Sequence, residues 1–260
     1  MNNFEYGFLS EYYAEAVQDE VRARYGNWRS LLMRVTASAV AAQYELAVHI
    51  EDRRELFAAA LYARTISSCQ GAVVLLEHGM IAQARCVLRS ALETLFSLAA
   101  IAEKPELALR LAQAHDVERK RAATNILLWK HPALQAIAKS ELETGNLDAV
   151  RISKPASIST FDLAEAGGFE DWYRSLYMVL SWSVHGAAAD LERHFAQDTS
   201  GAIHQMSNEP EVISQELCWL VAIEVQIKAA RSLAKVFGTP IDTKYDQYEK
   251  ELSALEASVL

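Results

Sequence analysis

Apolar residues recur at spacings of three and four along most of this chain, the period of one face of an α-helix. Residues 8–24 set Leu9, Tyr12, Tyr13, Ala16, Val17 and Val21 on one side, and Gly26-Asn27 reads as a break. A second amphipathic stretch covers about 28–49, through Trp28, Leu31, Leu32, Val35, Ala39, Ala42 and Leu46. A third covers about 53–78 and stops at Gly79, a residue suited to the position just past a helix end, where positive φ is needed. A fourth covers about 80–102. Lys104-Pro105 opens a fifth that runs to about 130, where His131-Pro132 ends it.

Beyond that point the pattern loosens. Ala133–Glu143 reads as a short helix, and residues 144–168 as a long irregular connection closed by Gly167-Gly168. Helical spacing returns at about 169 and runs past 190. The polar stretch 197–210 precedes a strongly apolar helix over about 211–237, entered through Asn208-Glu209-Pro210, and an amphipathic helix over about 241–258 closes the chain. The sum is about eight helices and no sheet: an all-α chain, read as one large helical bundle over 1–260.

Composition agrees with this picture. Ten Gly and five Pro in 260 residues leave few turns, so the elements must be long. Apolar residues make up 51% and charged residues 23%, which excludes a disordered chain. Charges interrupt the apolar helices at short intervals, so no membrane span is expected, and Met1–Glu5 lacks a leader pattern. Cys69, Cys86 and Cys218 form no CxxC pair, which suits reduced, buried thiols in a cytoplasmic protein. The formal charge of −9 speaks against broad nucleic-acid contact, though a local cationic pocket stays open.

Three constellations carry chemistry. Arg85, Arg89 and Glu93 are four apart on the fourth helix, on one face among apolar neighbours. Buried guanidinium groups must be paired, so this face is either an Arg–Glu network or an anion-recognising surface. Arg174, Tyr177, Ser181 and His185 follow at offsets of three, four and four, forming a polar stripe between large apolar residues. His185 is the proton carrier of that stripe, with Ser181 one turn before it, but no third orienting acid is visible. Arg110 and His115 match, by spacing alone, the Arg-x4–6-His motif of HEPN helical-bundle ribonucleases, with Leu111 where that family carries a polar residue. No metal or cofactor motif occurs: HExxH, Glu-x-x-His, a P-loop and GxGxxG are all missing.

The run Leu75–Glu93, with one helix ending at Gly79 and the next carrying Arg89 and Glu93, resembles a family of bacterial all-helical proteins of unknown function. A Tyr-x-x-x-Ser-x-x-x-His-Gly pattern (Tyr177, Ser181, His185, Gly186) and the segment Lys104-Pro105-Glu106 fit the same resemblance, which covers about 65–200. It implies a helical core over that span and singles out Arg89, Glu93, Tyr177, Ser181 and His185 as site residues. Residues 1–60 and 211–260 complete the bundle. Packing of the fourth helix on the 170–186 helix would bring these groups into one pocket.

The expected function is a binding or regulatory module. Its ligand set is Arg85, Arg89, Glu93, Arg174, Tyr177, Ser181 and His185, and its partner is a small ligand or another protein. The alternatives are a metal-independent HEPN-like ribonuclease or toxin/defence protein, with His185 or His115 as proton carrier and Arg89 or Arg110 as charge stabiliser, and a structural subunit of a complex; any catalytic role would fall among His185, Ser181, Arg89 and Glu93. Tyr245, Tyr248, Leu252 and Leu255 could support a homodimer, with packing onto the same chain as the alternative.

Overall fold

Helix α10, Glu216–Phe237, organises the architecture, because more than half of its residues are buried and Lys235 alone is exposed. In the computed structural model, residues 7–129, 131–145, 147, 150, 158–197, 200–206 and 209–258 are described. Before α10 come α1 (Glu11–Tyr44), α2 (Arg53–Glu77), α3 (Ile81–Glu103), α4 (Glu106–Leu127), α5 (Pro132–Thr144) and α6 (Thr160–Ala166). A short α7 (Glu170–Trp172), a π-helical turn (Tyr173–Tyr177) and α8 (Met178–His185) follow in continuous succession, then α9 (Ala188–Leu191). Helix α11 (Lys244–Ala257) comes last. The bundle is all-α, as its periodicity requires. The only extended pairing among the described residues is a small antiparallel ribbon of β1 (Phe195–Gln197) and β2 (Ile203–Met206), which replaces part of the polar 197–210 stretch.

One apolar core joins α1, α2, α3 and α10, and α6, α8 and α11 close over it. The α2–α3 hairpin turns at Gly79, whose φ is +71°. The Met80 N–H bonds the Leu75 carbonyl and the Gly79 N–H that of Leu76, so two carbonyls at the end of α2 are satisfied by the turn itself. Helix α2 is long and apolar enough to cross a membrane by length and composition. Here its Tyr62, Ile66, Cys69 and Leu76 are buried in the core.

Gly26-Asn27 does not end a helix. Helix α1 runs through it with a bend at Tyr25 (φ −111°, ψ 19°). A glycine inside a helix costs about 1 kcal/mol. Burial of Trp28, Leu31, Leu32 and Val35 in the following turns outweighs that cost. Tyr25 is itself buried, stacks on Trp219 at 6.1 Å and donates its hydroxyl to Glu216 at 3.1 Å.

The connection read as 144–168 is shorter than its sequence suggests, because α6 occupies its second half. Ser159 accepts from the Asp162 N–H at 3.1 Å while Asp162 accepts from the Ser159 N–H at 2.9 Å, a reciprocal cap. Residues 146, 148–149 and 151–157 of that connection lie outside the described residues. Likewise α10 starts at Glu216 rather than about 211, since Ser214 takes a positive φ of 60°.

Two predictions follow from this packing. A Cβ on Gly79 would stand 2.5 Å from the Cβ of Pro210 and 2.9 Å from the Glu211 nitrogen, whereas at Gly238 (φ +62°) it would meet nothing within 4 Å. Both Gly→Ala variants carry the left-handed penalty of roughly 1–2 kcal/mol. Gly79→Ala should lose distinctly more stability than Gly238→Ala in urea unfolding, and the difference reports the clash.

The second concerns Glu224, which lies on α10 facing α11. Burial pushes its carboxyl above the usual carboxylate range. Lys228 opposes this, and Glu256 and Glu249 add to it. The fold therefore favours the protonated form. Its contribution to stability is present below the unfolded value and is lost as pH rises through the folded one. Glu224→Gln should stabilise the protein relative to wild type at pH 8 and not at pH 4.

Candidate functional site

The α3–α8 contact buries charge and pairs it. Arg89 projects from α3 with its side chain 20% exposed, and three acceptors meet it. Its Nε donates to Ser181 Oγ at 3.0 Å, and one Nη donates to the Tyr177 hydroxyl. Glu93, one turn along α3, lies 3.2 Å from the same nitrogen. The ring is closed by Tyr177, whose hydroxyl donates to Glu93 Oε1 at 2.8 Å, and by Ser181, which donates to the Tyr177 carbonyl at 2.6 Å. The guanidinium also stands 4.7 Å from the Tyr177 ring centroid. Burial pushes the Tyr177 phenol up, the bond to Glu93 and its charge add to this, and Arg89 opposes it. Tyr177 thus stays a proton donor to Glu93.

The helix that presents Tyr177 and Ser181 is not uniform. Its Tyr173–Tyr177 turn is π-helical, which widens the turn by about one residue and slips the register of what precedes it. This is why Arg174 leaves the expected stripe. Its Nη2 lies 2.8 Å from Glu170, its guanidinium lies 5.2 Å from the Phe161 ring, and it faces solvent. The stripe also ends differently. His185 is the last residue of α8 and is exposed, with no hydrogen bond or ion pair among the described residues. Arg89, Glu93, Tyr177 and Ser181 are joined directly; Arg174 and His185 are not bonded to them.

Arg85 belongs to a neighbouring pair. Its Nη1 lies 3.7 Å from Asp190, whose carboxylate also accepts from Ser183 Oγ at 2.8 Å. Asp190 is 6% exposed, and Arg85 Nε is buried without a hydrogen-bond partner among the described residues. Sequence reading misses Asp190 because it reaches Arg85 only through the left-handed turn at Gly186 (φ +59°), which folds the chain back after α8. Between the two arginines, the Cys86 thiol is pushed up by burial and by Asp190, against Arg89, so it is held as a thiol rather than a nucleophilic thiolate.

One turn beyond Glu93, the same helix enters a cavity of about 380 Å³. Phe57 and Leu61 of α2, Ser97 of α3, Leu111, Ala114, His115 and Glu118 of α4, and Ile158 line it. Ser97 Oγ donates to the Glu93 backbone carbonyl at 2.9 Å, one turn back on the same helix. His115 and Glu118 carry no partner among the described residues. Arg110 does not share the cavity. Five residues turn a helix about 140° past a full revolution, so Arg110 and His115 point to different faces, and Arg110 contributes instead to holding Asp162 ionised. Among the described residues, no three His, Cys, Asp or Glu side chains gather to hold a metal ion.

The sequence pattern of a family of unknown function, DUF5677, matches residues 55–203, more than half of the chain. No curated protein and no solved structure matches. The matched span holds both the Arg89 cluster and the cavity, and leaves out α1, α10 and α11.

The bonding pattern makes Tyr177 the joint of the cluster, since it donates to one charged group and accepts from the other. Tyr177→Phe should cost about 1.5–3 kcal/mol, the range for hydrogen bonds to charged groups. In a double-mutant cycle with Glu93→Ala, unfolding free energies should show coupling of about 0.5–3 kcal/mol. Arg174→Ala, outside the ring, should be near neutral in the same assay.

Proposed function

The chain belongs to DUF5677, a family of unknown function, and from its own geometry we propose that it is a binding module. The ligand is a small molecule held between α2, α3 and α4, and the Arg89 cluster positions the α3 wall of its pocket. The observation that carries this reading is the contrast between two neighbouring groups of polar residues. In the cluster, Arg89 is answered by Glu93, Tyr177 and Ser181. At the rim of the adjoining cavity, exposed His115 and Glu118 have no protein partner among the described residues, above an apolar lining.

The volume, about 380 Å³, falls in the roughly 300–1,000 Å³ range of small-molecule pockets. An apolar floor with two convergent polar groups suits a compact apolar or aromatic body carrying one hydrogen-bond donor for Glu118. The ribonuclease alternative has less support. Stabilising a phosphorane needs cationic charge that is free in the transition state, yet Arg89 is paired with Glu93 and Arg85 with Asp190. Exposed His185 has no orienting acid among the described residues.

Indole is a suitable probe, being flat and apolar with one N–H donor. In calorimetric titration, wild type should bind indole. Ala114→Trp, which fills the cavity, should weaken it at least about tenfold, a loss of 1.4 kcal/mol or more, and Glu118→Gln should weaken it less. Incubation with RNA should leave the RNA intact. Cleavage by wild type that disappears in His185→Ala or His115→Ala would replace the binding reading with the ribonuclease one.

A further inference from the structure

Helices α4 and α5 pair as an antiparallel hairpin, with Gln135 bonded to the Leu127 carbonyl at the turn and Arg119 paired with Glu141 farther back. The hairpin projects from the bundle. Among the described residues, no apolar side chain between Leu111 and Ile158 belongs to the core or packs against it. Helix α5 packs chiefly on α4, through Ala138, its one buried residue.

The far end of the hairpin is apolar and bare. Leu128 is 78% exposed and Trp129 63%, and Ile137 on α5 is exposed as well. The turn that carries the first two is fixed from within. Gln135 Nε2 donates to the Leu127 carbonyl at 3.0 Å and to the Trp129 carbonyl at 2.7 Å. These backbone groups are thus bonded inside the hairpin, while the Leu128 and Trp129 side chains are left in water.

Charge changes sign here. Between Glu118 and Glu141 the sequence holds Arg119, Lys120, Arg121, Lys130 and Lys139 and no acid, in a chain of formal charge −9. Arg119 is occupied by Asp116 and Glu141, and Lys120 donates to the Val150 carbonyl. Arg121 and Lys139 are exposed and have no ion pair among the described residues. Helix rise sets both within about 10 Å of the turn, whereas Glu118, Glu141 and Glu143 lie about 13 Å or more behind it.

A projecting end with two bare apolar side chains falls far short of the roughly 800 Å² that one partner buries in a standard protein interface. A lipid headgroup layer asks for no such area. It deforms around single side chains, takes Trp at its boundary and draws basic residues where its lipids are anionic. Leu and Ile gain by entering such a layer and offer a nucleic-acid base nothing to stack on. We propose that the end of the α4–α5 hairpin docks on an anionic lipid surface, with Leu128 and Trp129 in the headgroup layer and Arg121 and Lys139 facing its negative groups. The acidity of the remaining surface confines the contact to this end.

The test is co-sedimentation of the full chain at low salt with vesicles of phosphatidylcholine alone and of phosphatidylcholine mixed with phosphatidylserine. Binding to the mixed vesicles should be at least about tenfold tighter, from the attraction of basic residues to an anionic leaflet. Leu128→Ser/Trp129→Ser, at exposed positions, should abolish it and leave the urea midpoint near that of wild type. Arg121→Gln/Lys139→Gln should weaken it about tenfold or more. Brominated phosphatidylcholine in the mixed vesicles should quench tryptophan emission more in wild type than in Trp129→Phe, which keeps a ring for binding. Absence of wild-type binding to the mixed vesicles would overturn the proposal. So would equal binding to the neutral ones, or binding indifferent to the change of Leu128 and Trp129. Single-stranded polyuridylate is the competing anion: its retention by wild type but not by Leu128→Ser/Trp129→Ser, with no vesicle binding, would assign this end to nucleic acid instead.

Discussion

Of the 22 residues of α10, Lys235 alone is exposed. Its charges Glu224, Lys228, Arg231 and Lys235 fall on one stripe and the rest of its circumference is apolar, so most of the helix has to be enclosed. That requirement places α1, α2 and α3 around it and leaves α11 to cover what remains. The polar groups on α10 obey the same constraint. Gln226 is fully buried and accepts from Thr36 Oγ1 at 3.0 Å while donating to the Ala222 carbonyl. Gln215, just before the helix, is fully buried and donates to the Leu76 carbonyl, accepts from the Trp219 indole, and gives its own N–H to Tyr25. Each bond ties α10 to a particular turn of α1 or α2, or closes back on α10 itself. Burial thus supplies the drive, and the buried amides set the register.

The same logic governs the α3–α8 contact. A guanidinium taken from water is costly unless its bonds are replaced. Arg89 has its replacements from Glu93, Tyr177 and Ser181, and each of these also bonds another member of the set or the backbone. The closed ring therefore fixes how α8 sits on α3. Positive and negative charges balance within it, as they do at Arg85 and Asp190. The chemical opportunity lies beside the ring, where an apolar cavity is rimmed by exposed His115 and Glu118, which have no protein partner among the described residues. That cavity lies in the span common to the family.

How far the site was legible in the sequence varies residue by residue. Arg89 with Glu93 follows from a spacing of four on an apolar helix, and Tyr177 with Ser181 from the same spacing after the π turn. Arg174 and His185 were drawn to the same stripe by arithmetic that assumes 3.6 residues per turn throughout. The π turn breaks that assumption at Arg174, and the helix end releases His185 to solvent. The reciprocal cap at Ser159 and Asp162 was present in the sequence as a Ser-x-x-acid signature, but a surrounding run of Ser, Thr, Gly and Pro hid it. Asp190 carried no local signal at all.

The sequence by itself determined the helices, most of their ends, and which faces are apolar. These depend on interactions between residues a few positions apart: the 3.6-residue period, Gly79 at a left-handed turn, and proline at Pro105 and Pro132. It also determined that the arginines of α3 need partners, since burying a charge has the same cost in any fold. Only the tertiary structure decided who those partners are, that Gly26 bends α1 rather than ending it, and where the cavity opens. Those outcomes turn on contacts between residues as distant as 92 or 191 positions along the chain. Short-range rules are silent there, because the energy that decides is burial summed over a whole interface.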